Sequence, residues 1–360
     1  MMINKQTISD LAIPPGEYLE EVLDELGLQQ SELARRMGRP AQLVNEIIKG
    51  EKAITPETSI QLEAVLGVPA YLWSNLESEY RLIKANLAEV KNITSEIPLL
   101  ANFPYLDLSK LGLVEKTRDS VEKVHNLRRF FGVASLSNLE VVKEYSPAFR
   151  QSTKNEISHE ALAAWLRSGS IIARKVECNS YDKQALISNL DVIRSLTQEE
   201  DANIFMPKLK SILQECGIAL VVIPHFKKTQ TTGATFWLSK DKAVLMMSLR
   251  GSWADIFWFS LFHELGHILL HDKRHTFLEN GASNPEWKKQ EEEADYFAQK
   301  TLIPSNKFKE FLIQCDFSIT AIRSFADEIG ISAGIITGRL QHEKMLPHTI
   351  HSGRIRYKWK

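Results

Sequence analysis

Hydrophobic positions recur at helical spacing along most of this chain. Short helical patterns with turn residues between them run up to about Asn86. From about Asp119 to Gln214 the pattern stays helical, with amphipathic stretches such as Glu160–Val176. Strand-like runs occur only at Ala219–Ile223, Ala234–Leu238 and Ala243–Leu249. Helical patterns then resume from Ser252. This order predicts an α+β protein that is mostly α, with a small β-sheet in its second half.

Changes in proline content and in charge along the chain predict four segments. Pro98 and Pro104 follow the short helices of the head, and the last eight residues contain four basic side chains and no acidic one. The segments are an all-α head at 1–90, a helical middle region at 91–200, a domain with the small sheet at 201–345 and a basic tail at 346–360. The tail is expected either to contact phosphates or to be solvated. The middle region carries no chemistry that the sequence identifies.

Two short helices joined by a tight turn are predicted at Gln29–Lys49. Gly38 suits the end of the first helix because it lacks a Cβ, and Pro40 suits the first turn of the second. This layout is typical of a helix-turn-helix unit, whose second helix enters the major groove of DNA. The alternative is a small helical bundle used for dimerisation or for contact with another protein.

The polar positions of this helix pair predict its DNA contacts. Side chains expected to meet bases are Arg39, Gln42 and Asn45. Side chains expected to hold phosphates are Gln30, Lys49 and Lys52.

Charge narrows the choice of partners. The 360 residues carry 44 basic and 45 acidic side chains, which argues against a surface that is basic throughout. Residues 1–90 contain 8 basic and 14 acidic side chains, but the acid is concentrated in Glu17–Glu25. The stretch Gln29–Lys52 has five basic side chains against three acidic ones, so a local basic face remains on an acidic head.

Composition and cysteine usage predict the compartment. A hydrophobic fraction of 44% and a charged fraction of 25% are typical of a folded globular protein. The three cysteines are far apart and form no CxxC, so neither a disulfide framework nor a cysteine-based metal site is expected. The start has no apolar signal region, and the most apolar stretch, Ile256–Leu270, is too short to cross a bilayer. We therefore expect a cytoplasmic protein without a membrane partner.

A metal site is predicted on one long helix, Trp253–His271. Apolar residues surround this helix almost completely, which indicates burial at the centre of a domain. His263 and His267 are four residues apart and project from the same face, so both can bind one Zn²⁺. Glu264 is turned by about 100° from that face and is suited to act as the general base of a His-Glu-x-x-His peptidase.

A third ligand is expected on a second helix that begins at Asn284-Pro285. Among three consecutive glutamates, Glu291 falls within the buried stripe of this helix, while Glu292 and Glu293 point to either side and are expected to be solvated. Glu291 is the preferred ligand and Glu292 the alternative. Asp295 is expected to orient a ligating histidine. His271 lies one turn beyond His267, where it is expected to support the site and not to ligate.

The head resembles the HigA-type antitoxin family, which belongs to the XRE/Cro class of helix-turn-helix regulators. The motifs that carry the resemblance are Pro14-Pro15-Gly16-Glu17-Tyr18-Leu19, Gln30-Ser31-Glu32-Leu33-Ala34, Asn45-Glu46-Ile47-Ile48-Lys49-Gly50, Ile54-Thr55-Pro56-Glu57-Thr58 and Leu66-Gly67-Val68-Pro69 with Trp73. The resemblance implies a homodimer that binds operator DNA, and members of the family often neutralise a small toxin.

The region from about Leu209 to Leu340 resembles the ImmA/IrrE family of metallopeptidases. The motifs are the run from Phe257 through His263-Glu264-Leu265-Gly266-His267 to His271, the run Glu291-Glu292-Glu293-Ala294-Asp295-Tyr296-Phe297-Ala298, and Leu302-Ile303-Pro304. The resemblance implies a zincin-like fold that binds Zn²⁺ through His263, His267 and Glu291, with Glu264 as the catalytic base. Members of the family cleave or inactivate DNA-binding repressors.

Two functions follow from these patterns. The first is a DNA-binding transcriptional regulator fused to a zinc-dependent metallopeptidase that cleaves a repressor or another regulatory partner, with one strand, such as Ala234–Leu238, aligning an extended substrate. The alternative is a non-enzymatic antitoxin or transcription factor whose zincin fold senses a ligand or binds a toxin. A helix pair at Ile319–Leu340 is expected to pack on the peptidase core, or otherwise to form a second DNA-reading unit.

Overall fold

The computed structural model describes residues 12–145, 158–229, 231–248, 253–271, 277–278, 285–351 and 353–358. The chain divides into two compact units, Met1–Ile97 and Pro98–Lys360. The helices of the first unit are its only regular elements among the described residues, and the second unit combines helices with one small sheet, which confirms the predicted fold class. None of the described helices has the length and apolar character needed to cross a membrane.

Five helices form the first unit. They are α1 (Pro15–Glu25), α2 (Gln30–Arg36), α3 (Ala41–Ile48), α4 (Pro56–Leu66) and α5 (Ala70–Glu96). Leu33, Ala34, Val44, Ile47 and Trp73 are buried together in its core, so α2 and α3 turn their apolar faces inward. Gly38 has a φ of +64° between these two helices, a conformation that a residue without a Cβ adopts at little cost.

The second unit begins with helices that precede its sheet. They are α6 (Tyr105–Lys110), α7 (Ser120–Phe131), α8 (His159–Arg174), α9 (Lys183–Ser195) and α10 (Ala202–Glu215), with 3-10 turns at Ile97–Asn102, Leu136–Val141 and Leu196–Gln198. Helix α8 packs against the sheet, and Gly169 lets it approach closely because a Cβ there would collide with Met246. Part of the predicted middle region therefore packs against the sheet.

The sheet has four strands in the order β1-β3-β2-β4. They are β1 (Ile218–Ile223), β2 (Gly233–Ser239), β3 (Lys242–Ser248) and β4 (Phe277–Leu278). Strands β1 and β3 are parallel, whereas β2 is antiparallel to both β3 and β4. The first three strands agree with the strand-like runs of the sequence, except that Leu249 lies outside the described residues.

Five helices follow along the chain. They are α11 (Ala254–Leu270), α12 (Pro285–Leu302), α13 (Ser305–Ile313), α14 (Ile319–Ile329) and α15 (Ala333–His342). Helix α11 packs against β2, β3, α12 and α15, so it lies at the centre of the unit. The pair α14 and α15 buries Ile322, Phe325 and Leu340 in the core shared with α11, as the packing interpretation predicts. Helix α12 begins at Pro285, and Asn284 lies outside the described residues.

The segment predicted as a basic tail packs against the start of α11. Arg354 pairs with Asp255 at 2.7 Å, and only 9% of each side chain is exposed. The guanidinium groups of Arg354 and Arg356 both lie over the ring of Trp253. Tyr357 is buried, and its hydroxyl accepts a hydrogen bond from Trp258 Nε1. The described residues 353–358 therefore differ from a solvated tail, because their acidic and aromatic partners lie about a hundred residues earlier in the chain.

Candidate metal centre and helix-turn-helix surface

Helix α11 carries the three polar residues of the predicted site in its buried interior. His263, Glu264 and His267 have exposed fractions of 3%, 1% and 2%. Burial of three ionisable groups is costly unless each has a partner of suitable chemistry. The contacts around them therefore determine what this helix can do.

Three candidate ligand atoms from two helices converge here. The Nε2 atoms of His263 and His267 are 3.0 Å apart. The carboxylate of Glu291 on α12 lies 3.4 Å from the first nitrogen and 3.5 Å from the second. One ligand atom from each residue lies within 4.8 Å of the other two, an arrangement that can hold a metal ion.

The competing glutamate lies away from this point. The side chain of Glu292 is 68% exposed and pairs with Lys288 at 4.0 Å, whereas that of Glu291 is 23% exposed. Of the two candidates left by the sequence, only Glu291 has its carboxylate beside both histidines. The choice follows from the helical stripe, which turns every third or fourth residue of α12 toward α11.

The second ring nitrogen of each histidine, Nδ1, contacts another side chain of the protein. His263 Nδ1 lies 2.8 Å from Asp295 Oδ1, which fits the orienting role predicted for that carboxylate. His267 Nδ1 lies 2.9 Å from His271 Nδ1, and His271 Nε2 lies 3.1 Å from Glu293 Oε2. Both histidines therefore turn their Nε2 atoms toward the point shared with Glu291.

The expectation that Glu293 is only a solvated acid is wrong. Its carboxylate accepts a hydrogen bond from His271 in the described structure, although it is also 3.7 Å from Lys289. The buried stripe of α12 indicates only which of its residues face His263 and His267. His271 lies one turn further along α11 and brings a third ring toward Glu293, which the stripe does not indicate.

Burial and neighbouring charges give the two central histidines opposite preferences for a proton. Burial alone opposes a charge on His263, but hydrogen bonds to Asp295 and Glu291 outweigh it and raise the pKa to about 11. Burial lowers the pKa of His267 to about 2, and positive charge on His263 and His271 adds to this. Burial also lowers the pKa of His271, against the pull of Glu293. The carboxylates of Asp295 and Glu291 thus favour positive charge at His263, whereas burial disfavours it at His267.

Close backbone approaches hold Glu264 beside this centre. A Cβ at Gly233, the first residue of β2, would lie 2.4 Å from Glu264 Oε1, so the absent side chain makes room for the carboxylate. A Cβ at Gly266 would lie 3.2 Å from Ala294 Cα, which shows how closely α11 and α12 cross. The sequence did not predict that Gly233 lies beside the proposed base.

The edge of β2 is partly occupied. Ala234 pairs with Leu278 and Thr235 with Phe277, so β4 covers the part of the edge next to Gly233. The expectation that Ala234–Leu238 aligns an extended substrate therefore applies at most to the later residues of this strand. Within the described chain, those residues pair only with β3.

The predicted DNA contacts lie on the surface of the first unit. Arg39, Gln42, Asn45, Lys49 and Lys52 are exposed, and Gln30 is half-buried. Two of them already contact neighbours, since Arg39 Nε donates to Gln61 and Gln42 donates to Glu46. Lys52 also lies 3.6 Å from Glu46. The surface is therefore polar and mixed in charge, with its cations at the turn and at the end of α3.

Comparisons with known proteins find a family match in each of the two units. A helix-turn-helix family model matches residues 19–73. The HTH-type transcriptional regulator YddM of Escherichia coli K12 is 35% identical over 71 residues, which are 20% of this chain and 76% of that protein. The chain belongs to the helix-turn-helix regulators. Its second unit carries an IrrE N-terminal-like domain of the M78 metallopeptidases, matched at residues 220–341.

Two further similar proteins each cover about a quarter of this chain. Virulence-associated protein I of Dichelobacter nodosus is 35% identical over 89 residues, covering 24% of this chain and 82% of its own. A solved structure of the Pseudomonas aeruginosa antitoxin HigA with the higBA promoter is 36% identical and covers 24% of this chain and 95% of that chain, with a TM-score of 0.23. The helix-turn-helix and IrrE-type resemblances drawn from the sequence motifs are confirmed by the two family models, at residues 19–73 and 220–341.

Proposed function

We propose that this helix-turn-helix regulator binds operator DNA through its first unit, as a homodimer, and cleaves a repressor or another regulatory protein with its second. The cleavage is that of a zinc-dependent metallopeptidase. The observation that carries this proposal is the convergence of His263, His267 and Glu291 within 4.8 Å, with Glu264 buried alongside them.

The residues present fit a zinc ion. Two imidazole nitrogens and one carboxylate are the donor set of a catalytic zinc site that keeps one position open. A zinc ion bound there would lower the pKa of water and polarise the carbonyl of the scissile bond. No other group of three His, Cys, Asp or Glu in the described chain offers ligand atoms as close together.

Glu264 is the group that moves the proton. Its carboxylate takes a proton from the attacking water and passes it to the nitrogen of the leaving amine, so one residue acts first as base and then as acid. Gly233 leaves the space that this carboxylate occupies. Asp295 and His271 fix the two ring orientations, because each binds the ring nitrogen that faces away from the centre.

The first test measures metal binding by the full chain. Zinc content after equilibration against a chelator is compared among wild type, Glu291→Ala and Glu292→Ala. We expect Glu291→Ala to lose more than about 100-fold in affinity, since outer hydrogen-bond partners alone are worth about 10- to 100-fold. Glu292→Ala is the matched control and should bind as wild type does. Loss only in Glu292→Ala would contradict the ligand set.

The second test measures hydrolysis. Wild type and Glu264→Gln, both loaded with zinc, are incubated with the product of the neighbouring gene and followed by intact mass. We expect cleavage by wild type and a loss of about 100- to 10,000-fold in Glu264→Gln. Equal cleavage by both would exclude Glu264 as the base. A stable complex with a small toxin and no cleavage would favour the non-enzymatic interpretation.

A further inference from the structure

The second unit contains an apolar pocket that the proposed chemistry does not use. It lies among α11, α12 and α15 and has a volume of about 240 Å³. Its walls are mainly aliphatic and aromatic, formed by Ile256, Phe259, Leu302, Ile303 and Ile335. Cofactor-sized ligands occupy pockets of about 300–1,000 Å³, so this one is better matched to a single side chain.

The pocket is next to the candidate metal centre on both helices that build that centre. Phe259 lies one helical turn before His263, and their ring centroids are 6.5 Å apart. Gln299, also in the pocket wall, lies one turn after Asp295, which binds His263. One turn advances a helix by about 5.4 Å, whereas an extended peptide advances by about 3.3 Å per residue. A peptide at the metal centre would therefore reach the pocket within two residues of the bond under attack.

The wall that connects the two places is also close to the proposed base. Thr232 and Ser260 both line the pocket, and the Ser260 hydroxyl donates a hydrogen bond to the Thr232 hydroxyl, with 3.3 Å between the oxygens. The next residue along the chain is Gly233, which contacts Glu264. The pocket and the reacting groups thus share one continuous wall made from the start of β2 and the face of α11.

The charged residues in the pocket wall have partners elsewhere. Asp255 is bound by Arg354, and Arg339 is bound by Glu343 at 2.6 Å. Both charged groups are thus paired with residues outside the pocket wall, although the buried Nε of Arg339 has no hydrogen-bond partner among the described residues. Aliphatic and aromatic groups form most of the surface that the pocket offers a ligand. An apolar side chain gains free energy by leaving water for such a surface.

We propose that this pocket receives an apolar side chain of the protein substrate, one or two residues from the cleaved bond, and that Ile256 helps to set its size. The inference rests on the proposed peptidase function. Ile256 is suited to a test because it lies in the wall and is still 39% exposed, so its replacement does not disturb the core. Tryptophan at this position would fill the pocket.

The experiment digests a tryptic peptide mixture with zinc-loaded full chain and maps every new cleavage site by mass spectrometry. Wild type is compared with Ile256→Trp, with Ile313→Trp and with Glu264→Gln as the blank. Ile313 is 80% exposed on α13 and outside the pocket, so it is the matched control for an added tryptophan. We expect wild type and Ile313→Trp to prefer a large aliphatic or aromatic residue at one fixed position. Ile256→Trp should lose that preference by about 10- to 100-fold in favour of small residues.

A binding measurement separates failure of this inference from failure of the peptidase function. Peptides retained by zinc-loaded Glu264→Gln are compared with those retained by the Glu264→Gln, Ile256→Trp double variant. If nothing is cleaved but the single variant retains peptides with large apolar residues and the double variant does not, the peptidase function fails and the pocket inference stands. Equal retention by the two variants, or an unchanged cleavage preference in Ile256→Trp, would overturn it. So would a small molecule that wild type carries in native mass spectra and Ile256→Trp loses, with cleavage unaltered.

Discussion

Helices α3 and α11 carry polar side chains in opposite ways. On α3 the candidate contacts Gln42 and Asn45 are exposed, and the apolar face alone is buried. On α11 the residues His263, Glu264 and His267 are all buried within an apolar helix. The first arrangement leaves the polar groups solvated before a partner arrives. The second arrangement needs partners inside the protein, because ionisable groups are held away from water.

This difference in burial decides whether a substitution is expected to affect binding or folding. An exposed polar residue can be exchanged with little effect on folding, so its role appears only in binding. A buried polar residue is tied to many neighbours, so the neighbours themselves become part of the site. Substitutions of buried polar residues in the second unit should therefore change stability or activity through their neighbours. Substitutions of exposed polar residues in the first unit should change only binding.

Arg354→Ala should produce the largest effect in either unit. Removing one partner of a buried ion pair leaves the other charge without compensation and costs about 3–5 kcal/mol. The free energy of unfolding of the second unit, measured in urea, should fall by that amount. Arg39→Ala, the same exchange on the exposed surface of the first unit, should change that unit's stability by no more than about 0.5 kcal/mol. Equal effects would remove the contrast between the units.

The effect of Arg354→Ala should also depend on pH. Burial raises the pKa of Asp255 above 3.8, and Arg354 works against this. Stability from a raised carboxyl pKa is fully present below the unfolded value and is lost as pH rises through the folded value. Without Arg354 the folded pKa rises further, so more stability is lost at neutral pH. The destabilisation by Arg354→Ala should therefore be smaller near pH 4 than at pH 7, and a constant difference would argue against a charge effect.

Gly233→Ala should come next, with a loss of about 100-fold in hydrolysis. The new Cβ would lie 2.4 Å from Glu264 Oε1, so the carboxylate must move, and misplacement by about 1 Å can cost that factor. Zinc content should stay near the wild-type value, because the three atoms nearest to the added Cβ all belong to Glu264, which is not one of the three proposed ligands. Cleavage is measured as initial rate with Glu264→Gln as the baseline. Full activity would show that the base tolerates displacement.

Glu293→Gln should weaken zinc binding by about 10- to 100-fold through His271 and His267. The amide is a poorer acceptor than the carboxylate for His271 Nε2, so the ring that orients His267 is held less firmly. Glu292→Gln is the adjacent control, exposed and far from both rings. Competition with a chromophoric chelator measures both affinities. Equal affinities would mean that the chain from Glu293 to His267 is structural only.

The sequence was sufficient for parts of the site that repeat at helical spacing. His263 and His267 share a face because they are four residues apart, and Glu291 was selected by the buried stripe of its own helix. The three main strands were predicted from their β-rich runs. In each case the deciding information lies within about ten residues, and local periodicity fixes which side chains face one way.

What the sequence missed depends on contacts between distant segments. The pairing of Arg354 with Asp255 joins residues 99 positions apart, and neither composition nor periodicity connects them. The close approach of Gly233 to Glu264 and the bond from Glu293 to His271 arise only once α11 lies against β2 and α12. The segment after residue 353 was interpreted by its charge alone, and its aromatic and acidic partners could not be identified before the fold was known.

Lys49→Ala should give the smallest effect and the clearest test of the exposed surface. Each phosphate contact contributes about 0.9 to the slope of binding against salt, in logarithmic units. If Lys49 contacts a phosphate, its loss should lower that slope by about 1, which is about a threefold smaller change in affinity between 50 and 200 mM salt. Random-sequence duplex DNA suffices as the probe because phosphate contacts do not depend on sequence. Lys91→Ala, exposed on α5, is the control, and its slope should match wild type. An unchanged slope in Lys49→Ala would place the end of α3 away from the DNA backbone, and the exposed cations of the first unit would then need another partner.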